Sequence, residues 1–333
     1  MSDENNIKRE IQTTILPQDD KKRKKQFINT LEEGVEVNDL FAVKSKKSPR
    51  SYKKGTWFDI IVSDKTGDIR VKFWGGEDKE KVQRLYNSFD IGDVVNIRSG
   101  MVEYYEDTLQ ISVNEDRGGI IKCAPDEYSL EDFIAELGKE KIESLYAFVK
   151  EEISGVENQY LRSLLDMFFK DGKFVEKFKH TPSALMYHHN YIGGNLEHTV
   201  GVIKICHTLC DIYSSLNKDL LLTGAILHDI GKIGEYRWST IIDRTEDGNM
   251  IGHIIIGDRM IREKINELRK NGNSFPYDLE KQLSHLILSH HGKLEWGSPV
   301  IPKTAEACAL HYADLTDSHV KNYIQKLDEE NQK

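Results

Sequence analysis

The sequence predicts a two-domain protein, a small all-β domain followed by an all-α one. Three observations predict it. Period-two alternation of apolar residues, the mark of strands, is confined to the chain before about Cys123. From about Leu130 onward apolar residues recur at helical spacing, broken by Gly, Pro and Asn. All 12 histidines lie at or after His180. Random placement rarely does that, and two domains of different chemistry do it easily.

Composition sets the outer bounds. The 333 residues can build one large domain or two ordinary ones. Charged residues make up 30% and hydrophobic ones 38%, the balance of a soluble globular protein. No apolar run reaches membrane-spanning length, and the N-terminal MSDENNIKRE lacks the apolar stretch of a secretory signal. A cytoplasmic protein without a membrane partner is therefore expected. Four cysteines without a close C-x-x-C pair argue against a disulfide framework or a thiolate zinc site. Cys206 and Cys210, four apart in an apolar helical pattern, are expected in the core. The net charge of −9 gives no whole-protein argument for nucleic acid. Two local runs differ: KKRKK (21–25) and KSKKSPRSYKK (44–54) are densely basic. An oligomer is compatible with the sequence and is not legible in it.

Taken in order, residues 1–25 are polar and basic and are expected to be a disordered tail. The β domain is expected over 26–123. TWFDIIVS and DIRVKFW flank the turn residues DKTG and read as a hairpin. If Ser63 opposes Asp68, then Val62 meets Ile69, Ile60 meets Val71 and Phe58 meets Phe73 on a wholly apolar face. The other face pairs Ile61 with Arg70, Asp59 with Lys72 and Trp57 with Trp74. A slip by one residue would bury the charges, so this register is well specified. EDKEKVQRLYNSFD is a polar amphipathic helix, and IGDVVNIRSGMVEYYEDTLQISVNE is a second hairpin. Three strands, a helix and two strands is the element order of an OB-fold, a small five-stranded barrel.

The second hairpin face mixes cations with flat rings. Single-stranded nucleic acid needs both, cations for phosphates and rings for bases. The stretch from Phe58 to Val113 resembles OB-folds of the tRNA-anticodon-binding type. That resemblance implies an oligonucleotide face on strands two and three, here Trp57, Arg70, Lys72 and Trp74. The basic run 44–54, with Lys46, Lys47 and Arg50, is expected in the loop between strands one and two, at the edge of that face. OB-folds also bind proteins and sugars, so the fold alone does not decide the ligand.

A helical connector is expected over 124–154, an all-α domain over 155–325 and a polar tail over 326–333. Several helices of that domain carry polar residues on their apolar stripes. His198 starts a stripe continued by Val202, Ile205, Cys206 and Leu209. Leu221, Ala225, His228 and Asp229 share a face in LLLTGAILHDIGK, where Gly231 is expected to stop the helix. Leu279, Leu283, Leu286 and Ile287 run into His290, with His291 and Gly292 following. His253 begins another apolar helix, and Ala307, His311 and Asp314 lie on one face. A buried carboxylate is costly unless paired or metal-bound. Imidazoles and carboxylates together are a ligand set for zinc, manganese, iron and similar ions.

The order His198, His228-Asp229, His253, His290-His291, Asp314 resembles the HD-domain superfamily of metal-dependent phosphohydrolases. The resemblance implies that His198, His228, Asp229 and Asp314 hold one metal. It also implies that His253 with His290 or His291 holds a second, bridged to the first by Asp229. HHNYIGGNLEHT, SHHGKLEWGSP and ALHYADLTDS are similar to segments of the YhaM-type 3′–5′ exoribonucleases, which also carry an OB-fold ahead of the HD domain. Two departures separate the chain from cyclic-dinucleotide phosphodiesterases of the HD-GYP type. GKLEWGSP stands where a Gly-Tyr-Pro element would follow the double histidine, and Gly194 stands where three-metal members carry a Glu.

The expected activity is thus 3′–5′ hydrolysis of single-stranded RNA, with single-stranded DNA as a further substrate, to nucleoside 5′-monophosphates. Two divalent transition ions are expected, manganese favoured, with iron, zinc, cobalt and nickel also suited to such ligands. Two ions about 3.5–4 Å apart lower the pKa of a bound water and neutralise developing phosphoryl charge. Asp229 is the expected bridge. Lys232, just past the helix end, is expected on a substrate phosphate, as are His188 and His189 from the segment similar to the exonucleases. The alternative is an HD phosphohydrolase of small nucleotides with the OB-fold as a regulatory or assembly module.

Overall fold

The computed structural model describes residues 22–185 and 190–331, and it divides into units at Phe133 and Ile134. His188 and His189 lie outside the described residues, as does most of the expected N-terminal tail.

The first unit contains β1 (Glu36–Tyr52), β2 (Gly55–Asp64), β3 (Gly67–Trp74), α1 (Lys79–Tyr86), β4 (Val94–Tyr105), β5 (Thr108–Asn114) and β6 (Gly119–Lys122). The sheet order is β1-β2-β3-β5-β4-β6, and a further β1–β4 pairing closes the first five strands into a barrel. β3 and β5 run parallel, the other neighbours antiparallel. β6, which the expected five-strand order lacked, pairs along β4. The β2–β3 register is the expected one, from Trp57↔Trp74 to Ser63↔Asp68. Its apolar face is buried: Phe58, Ile60, Val62, Ile69, Val71 and Phe73 join Phe41, Phe89, Val95 and Ile111 in one core.

The basic run 44–54 departs from expectation. It is strand as far as Tyr52, not loop. β1 pairs with β4 through its first half and β2 through its second, bending at irregularities between Val43 and Ser45 and between Lys47 and Arg50. Such a strand needs apolar residues only where it covers the barrel, so its far end can be basic. Strand alternation then sorts the lysines. Lys46 lies opposite Ile60 and Lys47 opposite Asp59, so they point to different sides.

The residues at the start of the described chain also differ from a free tail. Lys24 is buried, with Nζ 2.6 Å from the Leu40 carbonyl and 3.3 Å from Asp64, over the Phe41 ring. The backbone N–H groups of Lys25 and Gln26 both donate to the Asp39 carboxylate at 2.6 Å. These bonds stitch 24–26 to the barrel.

The second unit is helical: α2 (Lys139–Gly155), α3 (Gln159–Phe169), α4 (Gly172–His180), α5 (Gly194–Ile212), α6 (Lys218–Leu227), α7 (Lys232–Glu235), α8 (Glu246–Met250), α9 (His253–Lys270), α10 (Tyr277–Ser289) and α11 (Ala305–Asn331). A small hairpin, β7 (Tyr236–Trp238) with β8 (Ile242–Arg244), interrupts an otherwise all-α unit. α2, which falls in the expected connector, sends Ile142, Leu145, Tyr146, Val149 and Ile153 into the helical core. Its apolar stripe makes it a full member of the unit. α11 runs through most of the expected C-terminal tail. Cys206 is core, with Cys210 packed against it, and all four cysteines are free. Among the described residues no helix is long and apolar enough to cross a membrane.

Candidate metal centre and nucleic-acid face

Five helices deliver the site. His198 sits in the second turn of α5, His228 and Asp229 directly after α6, His253 at the first position of α9, His290 and His291 directly after α10, and Asp314 in α11. His198, His228, Asp229 and His290 are almost wholly buried.

The backbone explains the two helix-end histidines. The last turn of a helix leaves carbonyls without intrahelical partners. His228 donates from Nδ1 to the Ala225 carbonyl at 2.8 Å, and His290 from Nδ1 to the Ile287 carbonyl at 2.6 Å. A carbonyl only accepts, so each Nδ1 carries the proton and each Nε2 lone pair is left for a ligand. His291 is fixed in the same way by the Trp296 carbonyl at 2.8 Å. The other two imidazoles are held by carboxylates, His198 Nδ1 by Asp317 at 2.7 Å and His253 Nδ1 by Glu235 at 2.7 Å. Ligand histidines in metal sites are oriented by such partners.

With their tautomers set, the Nε2 atoms fall into two groups around Asp229. Oδ2 lies 3.3 Å from His228 and 3.6 Å from His198, and Asp314 Oδ1 lies 3.2 Å from His198. Oδ1 lies 3.5 Å from His253 and 3.7 Å from His290, and His253 and His291 approach each other at 3.3 Å. His198, His228 and Asp229 each offer a ligand atom within 4.8 Å of the others, and so do His253, His290 and His291. One carboxylate thus faces both clusters, one oxygen to each. Asp229 Oδ1 and His290 Nε2 are buried without a hydrogen-bond partner. Buried polar atoms are rarely left so. An imidazole lone pair facing a carboxylate is repulsive unless a cation lies between them, so the His290–Asp229 pair fits a divalent metal, and the imidazole and carboxylate donors of the other cluster are of the same kind.

The charges agree. Burial alone would raise the Asp229 carboxyl, but Lys232 and His228 outweigh it and hold it well below the usual carboxylate range. Burial alone would lower His198, but Asp314 and Asp317 raise it to about 9. Burial, then the neighbouring imidazoles, hold His290 and His291 low, so these two are neutral and ready to ligate. Burial would depress Lys232, but Asp229, 2.5 Å from its Nζ, raises it.

Asp229, Lys232, His253, His291 and Asp314 line one cavity of about 230 Å³. Sequence reasoning missed several of its neighbours. Trp296, Ser183 and Ser318 line it as well, and His311, noted only as sharing a face with Asp314, joins them. Ser183 accepts from Lys232 Nζ at 3.0 Å. Asp317 was legible in principle, one helical turn beyond Asp314 on the same face; Glu235, across the turn from Lys232, had no such signal. Gly231 was expected to stop a helix, but its φ of −64° is ordinary. A Cβ there would stand 1.9 Å from the His253 carbonyl. The glycine instead allows α9 to bring His253 against Asp229. Three further histidines take structural roles: His180 reaches the Glu176 carbonyl, His207 the Glu152 carboxylate and His285 the Lys303 N–H.

In the barrel unit, the outer face of β2 and β3 carries Trp57, Arg70, Lys72 and Trp74, and it gains Tyr52 and Tyr105. Lys72 Nζ lies 4.6, 4.5 and 5.1 Å from the ring centroids of Trp57, Trp74 and Tyr105. Tyr52 adjoins Trp74 at 5.1 Å, and Trp74 Nε1 donates to Ser112 at 3.0 Å. Arg70 is bound to the buried Asp59, with Lys47 at 3.9 Å from the same carboxylate. Arg50, opposite Trp57, is exposed. Lys46 is not on this face. Its Nζ donates to the Tyr86 and Phe89 carbonyls and lies over both rings, at the end of α1, as its place opposite buried Ile60 requires.

Comparison with known proteins agrees with both halves. Residues 195–318 match the HD domain family, and residues 42–122 match the family described as an OB-fold nucleic acid binding domain. The chain is 30% identical over 289 residues to a 3′–5′ exoribonuclease of Bacillus velezensis, covering 86% of each protein. It is 30% identical over 299 residues to the enzyme of that name from Bacillus subtilis (89% of each), and 29% identical over 295 residues to that of Listeria monocytogenes (88% of each).

Proposed function

The chain belongs to the YhaM family of 3′–5′ exoribonucleases, and on that premise we propose that it hydrolyses single-stranded RNA from the 3′ end with two divalent metal ions, releasing nucleoside 5′-monophosphates. The observation that carries the reading is the Asp229 carboxylate, one oxygen toward each imidazole cluster, at the floor of a cavity. His198, His228 and Asp314 would hold one ion, His253, His290 and His291 the other, with Asp229 shared. Imidazoles suit manganese, iron, zinc, cobalt and nickel alike, and manganese is the ion to test first. Bound there, the ions supply an activated water near neutral pH and a countercharge for the phosphoryl oxygens.

The chain's own residues do the rest. Asp317 and Glu235 hold two imidazoles in the ligating tautomer. Lys232, buried in the cavity wall, offers a fixed ammonium to a non-bridging phosphate oxygen. Water adds to the phosphorus of the last linkage, the bond to the upstream 3′-oxygen breaks, and that oxygen leaves as a hydroxyl on the shortened strand. The barrel face grips upstream nucleotides by stacking on Trp57 and Trp74 and by contacts from Lys72, Lys47 and Arg50. Such contacts do not read the 2′-hydroxyl, so single-stranded DNA belongs in the same test.

The test uses 5′-labelled RNA with manganese, comparing wild type and Asp229→Ala on a sequencing gel. A ladder shortening from the 3′ end, absent in the variant although RNA still binds, is the expected result. An intact strand with wild type would sink the nuclease and direct attention to small nucleotides. Equal shortening by the variant would remove Asp229 from the chemistry.

A further inference from the structure

Resting on the nuclease reading, we infer that Trp296 is the stacking platform for the base of the 3′-terminal nucleotide, and so sets how the enzyme ranks strand ends. The argument starts from size. The cavity over the ligands holds about 230 Å³, below the roughly 300–1,000 Å³ that encloses a drug-sized ligand. A phosphate and its sugar fill such a space. The base that follows must lie at the rim.

The rim on one side is the turn 291–298. It is built tightly: Gly292 and Gly297 both take left-handed φ, +80° and +89°, and the N–H groups of Trp296 and Ser298 both return to the Lys293 carbonyl. At Gly292 space requires a glycine as well, since a Cβ would stand 2.2 Å from the His311 ring. The turn brings Trp296 into the cavity wall beside His291, yet leaves the residue 43% exposed. A flat, half-open ring in the wall of a cavity offers a surface on which another flat ring can stack. His311 braces it from the inner side, with ring centroids 6.2 Å apart, and donates from Nδ1 to the His290 carbonyl. Lys293 Nζ lies 4.2 Å from the indole centroid, where it can also meet a phosphate.

Trp296 is therefore held at both ends. Its carbonyl fixes His291, and the residue lines the cavity at whose rim the base must lie. A base has a π-face whatever its identity, so stacking tolerates sequence but favours the larger purines. Truncating the side chain removes the platform and keeps the carbonyl that orients His291.

The full chain, loaded with manganese, is given 5′-labelled strands identical except for the last residue: adenosine, uridine or an abasic ribose. Release of the first nucleotide is measured in single turnover for wild type, Trp296→Ala and Trp296→Phe. The expected wild-type preference for adenosine over the abasic end is about 5- to 150-fold, the range that stacking one base supplies. Trp296→Ala should collapse that ratio towards one, and Trp296→Phe should keep most of it. A ratio unchanged in Trp296→Ala overturns the inference. Equal losses on all three ends, with the ratio intact, overturn it too, because the ring then serves only the fold of the turn. Calorimetric binding of AMP against ribose 5-phosphate is run in parallel. If wild type shortens no strand, the nuclease reading has failed, and this binding ratio alone decides the stacking site: lost in Trp296→Ala it stands, unaltered it falls.

Discussion

Replacing Lys232 by methionine should destabilise the metal-stripped protein far more than the loaded one. Lys232 Nζ stands 2.5 Å from Asp229 Oδ2, and both side chains are buried. Without metal, this ammonium is the largest influence holding the carboxylate ionised against burial. Breaking a buried pair by removing one partner costs about 3–5 kcal/mol, because the other charge stays behind without compensation. In a unit the size of residues 134–333, each kcal/mol moves the midpoint by roughly 2–4 °C, so the stripped variant should melt about 6–20 °C below stripped wild type. Bound ions take over as the countercharge of Asp229. In manganese the gap should shrink to a few degrees, and manganese should raise the midpoint of the variant more than that of wild type. Thermal scans of both proteins, with chelator and with metal, read all four values. Equal deficits with and without metal would refute the reasoning, since Lys232 would then be packing material and not a stand-in for an ion.

Three further outcomes follow from the same geometry. His253→Ala should lower bound metal by one ion per chain while the His198 cluster keeps its own, read by elemental analysis after dialysis; retention of both ions would end the two-cluster assignment. Metal uptake at pH 7.5 should release about one proton from the site, because His198, raised to about 9 without metal, is protonated there and must be neutral to ligate. Calorimetry in two buffers of different ionisation enthalpy measures that proton, and none released would contradict the assigned state. Trp57→Ala with Trp74→Ala should slow hydrolysis of long strands by about tenfold or more at moderate salt and spare dinucleotides, since each lost stack is worth roughly 1–3 kcal/mol; equal losses on both substrates would place the barrel face outside substrate binding.

How much of this was legible depends on whether a local rule governs the residue. The β2–β3 register was readable because a one-residue slip moves Phe58, Ile60 and Val62 to solvent. The two clusters were readable because their members interrupt apolar stripes, where a polar side chain needs a reason. Lys46 was misplaced because its run was read as composition. Once β1 is a strand, alternation sends Lys46 to the buried side and Lys47 to the outer one. Trp296 and Glu235 were missed for another reason. Trp296 lies in a short turn and Glu235 ends the four-residue α7, neither long enough to show a period. What brings them to the site is tertiary: the left-handed glycines of 291–298 put Trp296 in the cavity wall, and the close approach of α9 over Gly231 sets His253 against Glu235.

The pair His228-Asp229 shows why the two clusters share one design. A helix that stops at its ligand histidine offers that imidazole a spare carbonyl three residues back, and the bond fixes Nδ1 as donor without help from another side chain. His228 on Ala225 and His290 on Ile287 use this device identically. The next residue lies outside the helix, and its side chain reaches a ligand on another helix. Asp229 uses that position to reach across to the second cluster, and His291 uses it to join His253. Two adjacent ligands at one helix end therefore do what two on the helix body cannot, since neighbours there project about 100° apart on a straight cylinder. The helix that ends at a ligand is what allows one carboxylate to face both clusters.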